Sequence, residues 1–406
     1  MSSVINNSNA NSAIVQTIEA SESLRNPNVY STQEIFPPHS MTYSKCESSN
    51  GSVASGGSLN FNLNKYGIAS QILLHIEKQH VVTATGAGVN MTLNKGDIFN
   101  IIKSVELLSS SRVISTLTSA DFMSMFSNMD QAEFNVVENT AINVGTTQAS
   151  TPFVFVLPLC FGQFKDINLQ PNLSFVEPMS IRVNWGNVQN RSAPAAIDAA
   201  NTLGLNASQT YLQVRYKAYP EDKVAQILDE NYSQPELNQL SSRFYNENRV
   251  AFTGDGSAKD YDIDLKNTDA VKDFYIVVRK AYTNGGGVLD MSPVKINSVK
   301  FTGSGQEILN LTEHETPYLK LNAYGNAECV DLATGGFSLG HIVKIQTGVY
   351  HKSAMTNCFS LREINAPRIT VNLSVTGAHT IDVVEDCLAI YSTSSATGRV
   401  NLSLSN

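Results

Sequence analysis

The sequence predicts an all-β protein made of two similar antiparallel β-sandwich halves. Three observations carry that expectation: a charge-poor composition rich in turn and strand formers, a succession of period-two apolar segments, and an internal repeat. At 406 residues the chain exceeds the size at which a single apolar core usually stops growing, so two domains are expected. Hydrophobic residues make up 42% and charged residues only 16%, the difference being filled by Asn, Ser, Thr and Gln. Long exposed helices favour Glu, Lys and Arg, so this balance suits strands and turns.

Residues 1–35 are Ser/Asn-rich with weak periodicity and read as a flexible N-terminal arm. Within it Ile14, Val15 and Ile18 form a short apolar stretch able to dock on a neighbour. The first domain is expected over 36–219. Leu59, Phe61 and Leu63 alternate with polar residues, and Ile72, Leu74 and Ile76 repeat the pattern. Ile102 to Thr118, Phe153 to Leu159, Met179 to Trp185 and Tyr211 to Tyr216 follow, separated by Gly/Ser/Asn clusters. Ser119 to Asp130 reads as a helix whose Met/Phe stripe is core. Residues 187–208 read as a long loop. A helical linker is expected over 220–247, opening with Pro220-Glu-Asp and presenting Val224, Ile227 and Leu228 at helical spacing.

The second domain is expected over 248–406. Its strand candidates are Tyr261 to Leu265, Val271 to Lys280, Ile296 to Thr312, His341 to Thr347, Arg368 to Val375 and Leu388 to Ser392. No strand–helix alternation exists, so antiparallel sandwiches fit better than βαβ units.

Self-similarity between the halves is the most informative feature. Residues 102–118 (IKSVELLSSSRVISTLT) and 296–312 (INSVKFTGSGQEILNLT) agree at seven of seventeen positions without a gap. About one match is expected of a random register. The shared pattern is a β-hairpin: Val105 and Leu107, or Val299 and Phe301, enter a Ser/Gly turn, and Ile114 and Leu117, or Ile308 and Leu311, leave it. Two further matches keep the same order. Leu63, Leu74 and Lys78 align with Leu265, Ile276 and Lys280; Ile181, Val183 and Asn184 align with Ile369, Val371 and Asn372. The offsets are 202, 194 and 188, so one β-domain occurs twice.

Charge and cysteine usage exclude several functions. The net charge is −8, and no basic arm or cluster exists to neutralise phosphates, so direct nucleic-acid binding is not expected. Cys46, Cys160, Cys329, Cys358 and Cys387 are scattered and odd in number, which fits small core residues in a reducing compartment. The amino terminus lacks the pattern of a signal peptide, no apolar run approaches the ~20 residues of a membrane span, and the sequons at Asn90, Asn172, Asn310 and Asn372 are read as chance.

The catalytic and binding motifs are weak. Gly336-Phe-Ser338-Leu-Gly340, with His351, His379 and Asp382 downstream, matches a nucleophile elbow, but the following residues read as a strand where that motif needs a helix. Glu313-His314-Glu315 lacks the spacing of a metal site, and Asp255 to Asp260 lacks the ligands of a calcium loop. Asn284 to Gly287 has no following Lys-Ser/Thr, so it reads as a turn. Asp262 and Asp264 lie on the polar face of a strand, and Trp185 reads as core. No catalytic, cofactor-binding or metal residue is therefore expected. A tandem carbohydrate-binding or adhesion module and a double jelly-roll hydrolase are the other readings of such a chain.

The hairpin IKSVELLSSSRVISTLTSADF, the apolar strand ending Val156-Leu-Pro-Leu159, and the Pro178-led strand MSIRVNW stand in an order that each half repeats. Over roughly residues 40–406 this order resembles the double jelly-roll major capsid proteins of tailless icosahedral viruses. The resemblance implies two tandem eight-stranded jelly-roll β-sandwiches, with a few short helices in loops and at the linker. It also implies a homotrimer forming a pseudo-hexagonal capsomer of a virion shell, made in the host cytoplasm. Its implied partners are neighbouring capsomers, penton and minor capsid proteins, and an internal membrane layer; it implies no cofactor.

Overall fold

The computed structural model describes residues 40–82, 96–127, 129, 131–142, 152–161, 173, 176–188, 201–218, 236–267, 270–280, 296–315, 342–346, 359–394, 397 and 399–404. The expected arm (1–35) and the expected helix over 220–232 lie outside them.

In the first half the period-two segments become strands because alternate side chains must share one buried face. They are β1 (Ser40–Gly51), β2 (Ser58–Asn62), β3 (Ile68–Val82), β4 (Ile102–Ser109), β5 (Arg112–Thr118), β6 (Phe153–Pro158), β7 (Met179–Trp185), β8 (Asn201–Leu205) and β9 (Tyr211–Ala218). Strand β1 turns a corner: Ser40 to Glu47 pair with β9, and Ser48 to Gly51 pair with β2. Two antiparallel sheets result, β1-β9-β3-β6 and β5-β4-β7-β2, with β8 extending the edge of β3. This crossing of strands between facing sheets is the jelly roll. Leu59, Phe61, Ile72, Leu74, Ile76, Val105, Leu107, Ile181, Val183 and Trp185 fill the space between them. Strand β8 corrects the expectation of an uninterrupted loop over 187–208, because Asn201 to Leu205 bond to the exposed edge of β3.

Three α-helices flank the β4–β5 hairpin among the described residues: α1 (Ile98–Ile101) before it, and α2 (Ser119–Phe126) and α3 (Gln131–Val137) after it. Asp97, just before α1, holds Lys78 of β3 in a wholly buried ion pair at 2.7 Å. Every residue of α2 is buried.

The second half repeats the jelly roll with longer strands. It comprises β10 (Glu236–Asp264), β11 (Ala270–Lys280), β12 (Ile296–Gly303), β13 (Gln306–Thr312), β14 (Ile342–Gln346), β15 (Phe359–Ser360), β16 (Arg368–Ser394) and β17 (Val400–Leu404). Strands β10 and β16 pair along nearly their whole lengths. The C-terminal half of β16 also pairs with β11, which pairs onward with β14; its N-terminal part pairs with β12, which pairs onward with β13. Each long strand thus serves both sheets. Where they cross, Gly254 lies opposite Gly377; a Cβ on Gly254 would sit 2.1 Å from the carbonyl oxygen of Val375, and Gly377 has φ +92. Two expectations are corrected here. Residues 236–247 of the expected helical linker are strand, and the separate segments 368–375 and 388–392 are parts of one strand. In both cases a paired neighbour supplies backbone bonds that the local pattern does not reveal.

The register confirms the duplication residue by residue. Ile181 pairs with Leu107 and Phe61; Ile369, its aligned counterpart, pairs with Phe301 and Ile263, the counterparts of those two. The turns repeat as well, with Ser110 at φ 54 and Ser304 at φ 53.

Candidate functional site

The two sandwiches meet along a seam in which β5 and α2 of the first half face β10, β11 and β16 of the second. Strand β11 shows why they stay together. Phe274, Ile276 and Val278 enter the second core, whereas Tyr275 and Val277, on the other face, join an apolar cluster continuous with the first core. A strand buried on both faces reads as an unbroken apolar run, which is what residues 274–278 (FYIVV) show. Phe244, Val384 and Tyr391 belong to the same shared cluster.

Polar groups lock this seam. Thr118 closes β5, and both its backbone N–H and its hydroxyl donate to Asp121 Oδ2, at 2.6 and 2.9 Å, which caps α2. From the second half, Asn246 Nδ2 donates to the same carboxylate oxygen at 2.7 Å. Burial pushes the Asp121 carboxyl up to about 7; the three donors oppose that shift and the nearby charge of Asp382 adds to it. Asp382, fully buried on β16, is held by Arg249 of β10 and Arg279 of β11 on the flanking strands. Beside these groups lies a cavity of about 490 Å³ whose lining includes Arg112 and Thr116 of β5 and Arg243, Tyr245 and Glu247 of β10. Arg112 also donates to the backbone carbonyl of Val400, at 2.6 Å.

Inside the second sandwich, buried Glu385 accepts from Asn248 and Asn267, each at 2.7 Å, and Asn248 Oδ1 accepts the backbone N–H of Lys266. These bonds clamp the turn between β10 and β11 onto β16.

The sequence motifs scatter across this framework. Ser338, His351, Asn284 to Gly287, Cys329 and Cys358 lie outside the described residues. His379 and Asp382 are three positions apart on one strand, hence on opposite faces, and His379 stacks on Phe252 at 5.8 Å. They form no dyad. Glu313 and His314 contact each other at 3.4 Å, with His314 open to solvent. Asp262 and Asp264 are exposed and share Arg368. Trp185 is core, and among the described residues Cys46, Cys160 and Cys387 form no disulfide. Among the described residues no His/Cys/Asp/Glu group is arranged to hold a metal, and no helix is long and apolar enough to cross a membrane.

Nothing in the local sequence marks Asn246, Arg249 or Arg279 as seam residues, and Asp121 reads there only as part of a helix start. One signal was present: Thr118-x-x-Asp121 recurs at the same offset of 194 as Thr312-x-x-Glu315. The second cap has the same geometry, with Thr312 N–H and hydroxyl donating to Glu315 Oε2 at 2.8 and 2.9 Å. Glu315 is exposed, and the Thr312 N–H and hydroxyl hold its carboxyl below the usual range.

No family model and no curated protein matches the chain in sequence. Solved structures do match. PBCV-1 VP54, fitted into a reconstruction of the virophage Sputnik, aligns at TM-score 0.67 and 11% identity, covering 93% of this chain and 100% of that one. The Faustovirus major capsid protein aligns at TM-score 0.61 and 8% identity, over 89% of this chain and 92% of its own. The mavirus major capsid protein aligns at 0.57 and 11%, over 93% of each. At these identities the likeness establishes the fold: a double jelly roll, shared along nearly the full length of each protein.

Proposed function

We propose that the chain is the major capsid protein of an icosahedral virus, trimerising into pseudo-hexagonal capsomers that tile the virion shell. The observation that carries this reading is the seam: two duplicated jelly rolls are fused side by side through a shared core. Three such chains present six similar units, the number a hexagonal tile needs. Jelly rolls also leave few free sheet edges, which suits molecules packed at high local concentration.

On this reading the described polar groups hold the two halves in a fixed relation, and no catalytic role is assigned to any of them. The chain divides near 220–235 into domains of 36–219 and 236–406, with residues 1–35 as an arm toward neighbouring capsomers or an internal layer. Penton and minor capsid proteins are its further partners, and the acidic balance, −8 overall, argues against direct genome contact.

Negative-stain microscopy and sedimentation of the purified full chain test the reading. The expected result is a stable trimer, seen as hexagonal capsomers or larger shells. A monomer at every concentration would overturn it.

A further inference from the structure

The duplicated caps differ in one respect. Cap Thr118–Asp121 and part of strand β5 lie against the second sandwich of the same chain, whereas among the described residues no element packs as closely on Thr312–Glu315 and the outer side of β13. Ile114 of β5 is 6% exposed and its counterpart Ile308 of β13 is 45% exposed.

The receiving faces differ in the same way. In the second half, Phe244, Tyr275 and Val277 are buried beneath the first half. The register maps this face onto the first half. Leu74 corresponds to Ile276; Leu74 pairs with Leu212, which pairs with Cys46, as Ile276 pairs with Val383, which pairs with Asn248. Leu73 and His75 therefore stand where Tyr275 and Val277 stand. Lys45 stands where the bulge carrying Asn246 and Glu247 stands. This mapped face is open: Tyr43 is 63% exposed and Met41 45%.

We propose that a second copy of the chain seats its β13 strand and Thr312–Glu315 cap on the outer face of the β1-β9-β3 sheet, with Glu315 meeting Lys45. Charge supports the match. Residues 306–315 (QEILNLTEHE) hold three glutamates and no Lys or Arg, while the receiving face carries Lys45 and, diagonally across on β9, the half-buried Arg215. Lys45 is already positioned: its ammonium lies 4.5 Å from the centre of the Tyr211 ring, which stacks on His75, and it pairs with Glu47 at 3.2 Å. The amide–carboxylate bond Asn246–Asp121 inside one chain becomes an ammonium–carboxylate pair between chains.

The proposed contact is heterologous, joining the second half of one copy to the first half of the next. Such a contact repeats until it closes as a ring. It rests on the capsid reading for the expectation that closure comes at three chains.

The test is a charge swap in the full chain, read by sedimentation across a concentration series. Glu315→Lys and Lys45→Glu are each expected to weaken association at least ~10-fold, and the double variant to recover most of that loss. Both residues are exposed, so circular dichroism should match wild type, and the lost Thr312 cap or Lys45–Glu47 pair should lower the melting temperature only slightly. Independently, carbodiimide coupling of the wild-type assembly is expected to yield a Lys45–Glu315 cross-linked peptide. Single variants that associate like wild type, a double variant no better than the singles, or absence of that peptide from an intact assembly would each overturn the contact. The capsid reading would survive those results, because the wild type would still assemble. A wild type that stays monomeric would overturn both.

Discussion

The hairpins β4–β5 and β12–β13 share a turn conformation, a cap and seven of seventeen residues, yet one is core and the other surface. Ser110 and Ser304 both adopt a left-handed conformation, and both donate their N–H to a carbonyl just ahead of a neighbouring strand, Pro178 O before β7 and Asn365 O before β16. Local sequence therefore builds the same object twice. Only the neighbour differs: β5 lies against β10, whereas β13 presents Glu307 and the Glu315 of its cap to solvent. The identical cap illustrates the consequence, since burial raises the carboxyl of Asp121 and solvated donors lower that of Glu315. Burial, and not motif, decides what the pair does.

Mutations can break this comparison, beginning where the hairpins are alike. Val105 and Val299 are both fully buried in their own sandwiches. Val105→Asp and Val299→Asp should each abolish folding, because an unpaired buried carboxylate costs several kcal/mol. Loss of soluble, cooperatively melting protein is the readout; if both variants melt like wild type, the assigned register is wrong.

A smaller and asymmetric effect is expected one strand over. Ile114→Ala should cost about 2–4 kcal/mol by denaturant unfolding, because it opens a cavity in the seam. Ile308→Ala should cost less than ~1 kcal/mol in the monomer, because its side chain is partly solvated there. Equal losses at the two positions would mean that β13 is covered within the chain.

The smallest effect separates the caps by pH. Below the ordinary carboxylate range Asp121 is protonated whether the chain is folded or not. Between that range and about 7 only the folded state keeps the proton, so this group lowers stability as pH rises through the window. Glu315 has the opposite sign, contributing above its ordinary value and losing that contribution as pH falls. Calorimetry from pH 4 to 8 is expected to show the Asp121 decline flattened in Asp121→Asn and unaltered in Glu315→Gln. An unchanged slope in Asp121→Asn would show that its carboxyl titrates as an exposed acid does.

Much of this molecule is legible in its residues. Strands β4, β5, β6, β7, β11, β12 and β13 fall within a residue or two of the segments marked by alternation or apolar runs. The three collinear matches locate the two halves, and the register of Ile181 and Ile369 reproduces them. Alternation suffices there because each of those strands serves a single sheet with a nearby turn. It fails for β10 and β16, whose continuity comes from pairing with each other over a corner that two opposed glycines permit. It fails for β8 as well, which is a strand only because the edge of β3 accepts it.

By itself, then, the sequence determined the all-β class, the duplication and the hairpin-with-cap unit, because period, turn chemistry and short-range hydrogen bonds are encoded by neighbours in the chain. Only the tertiary structure decided that Asp121, Asn246 and Asp382 meet at a seam while Glu315 stays in water. Those residues come from elements more than a hundred positions apart. Nothing local distinguishes a cap that will be covered from one that will not.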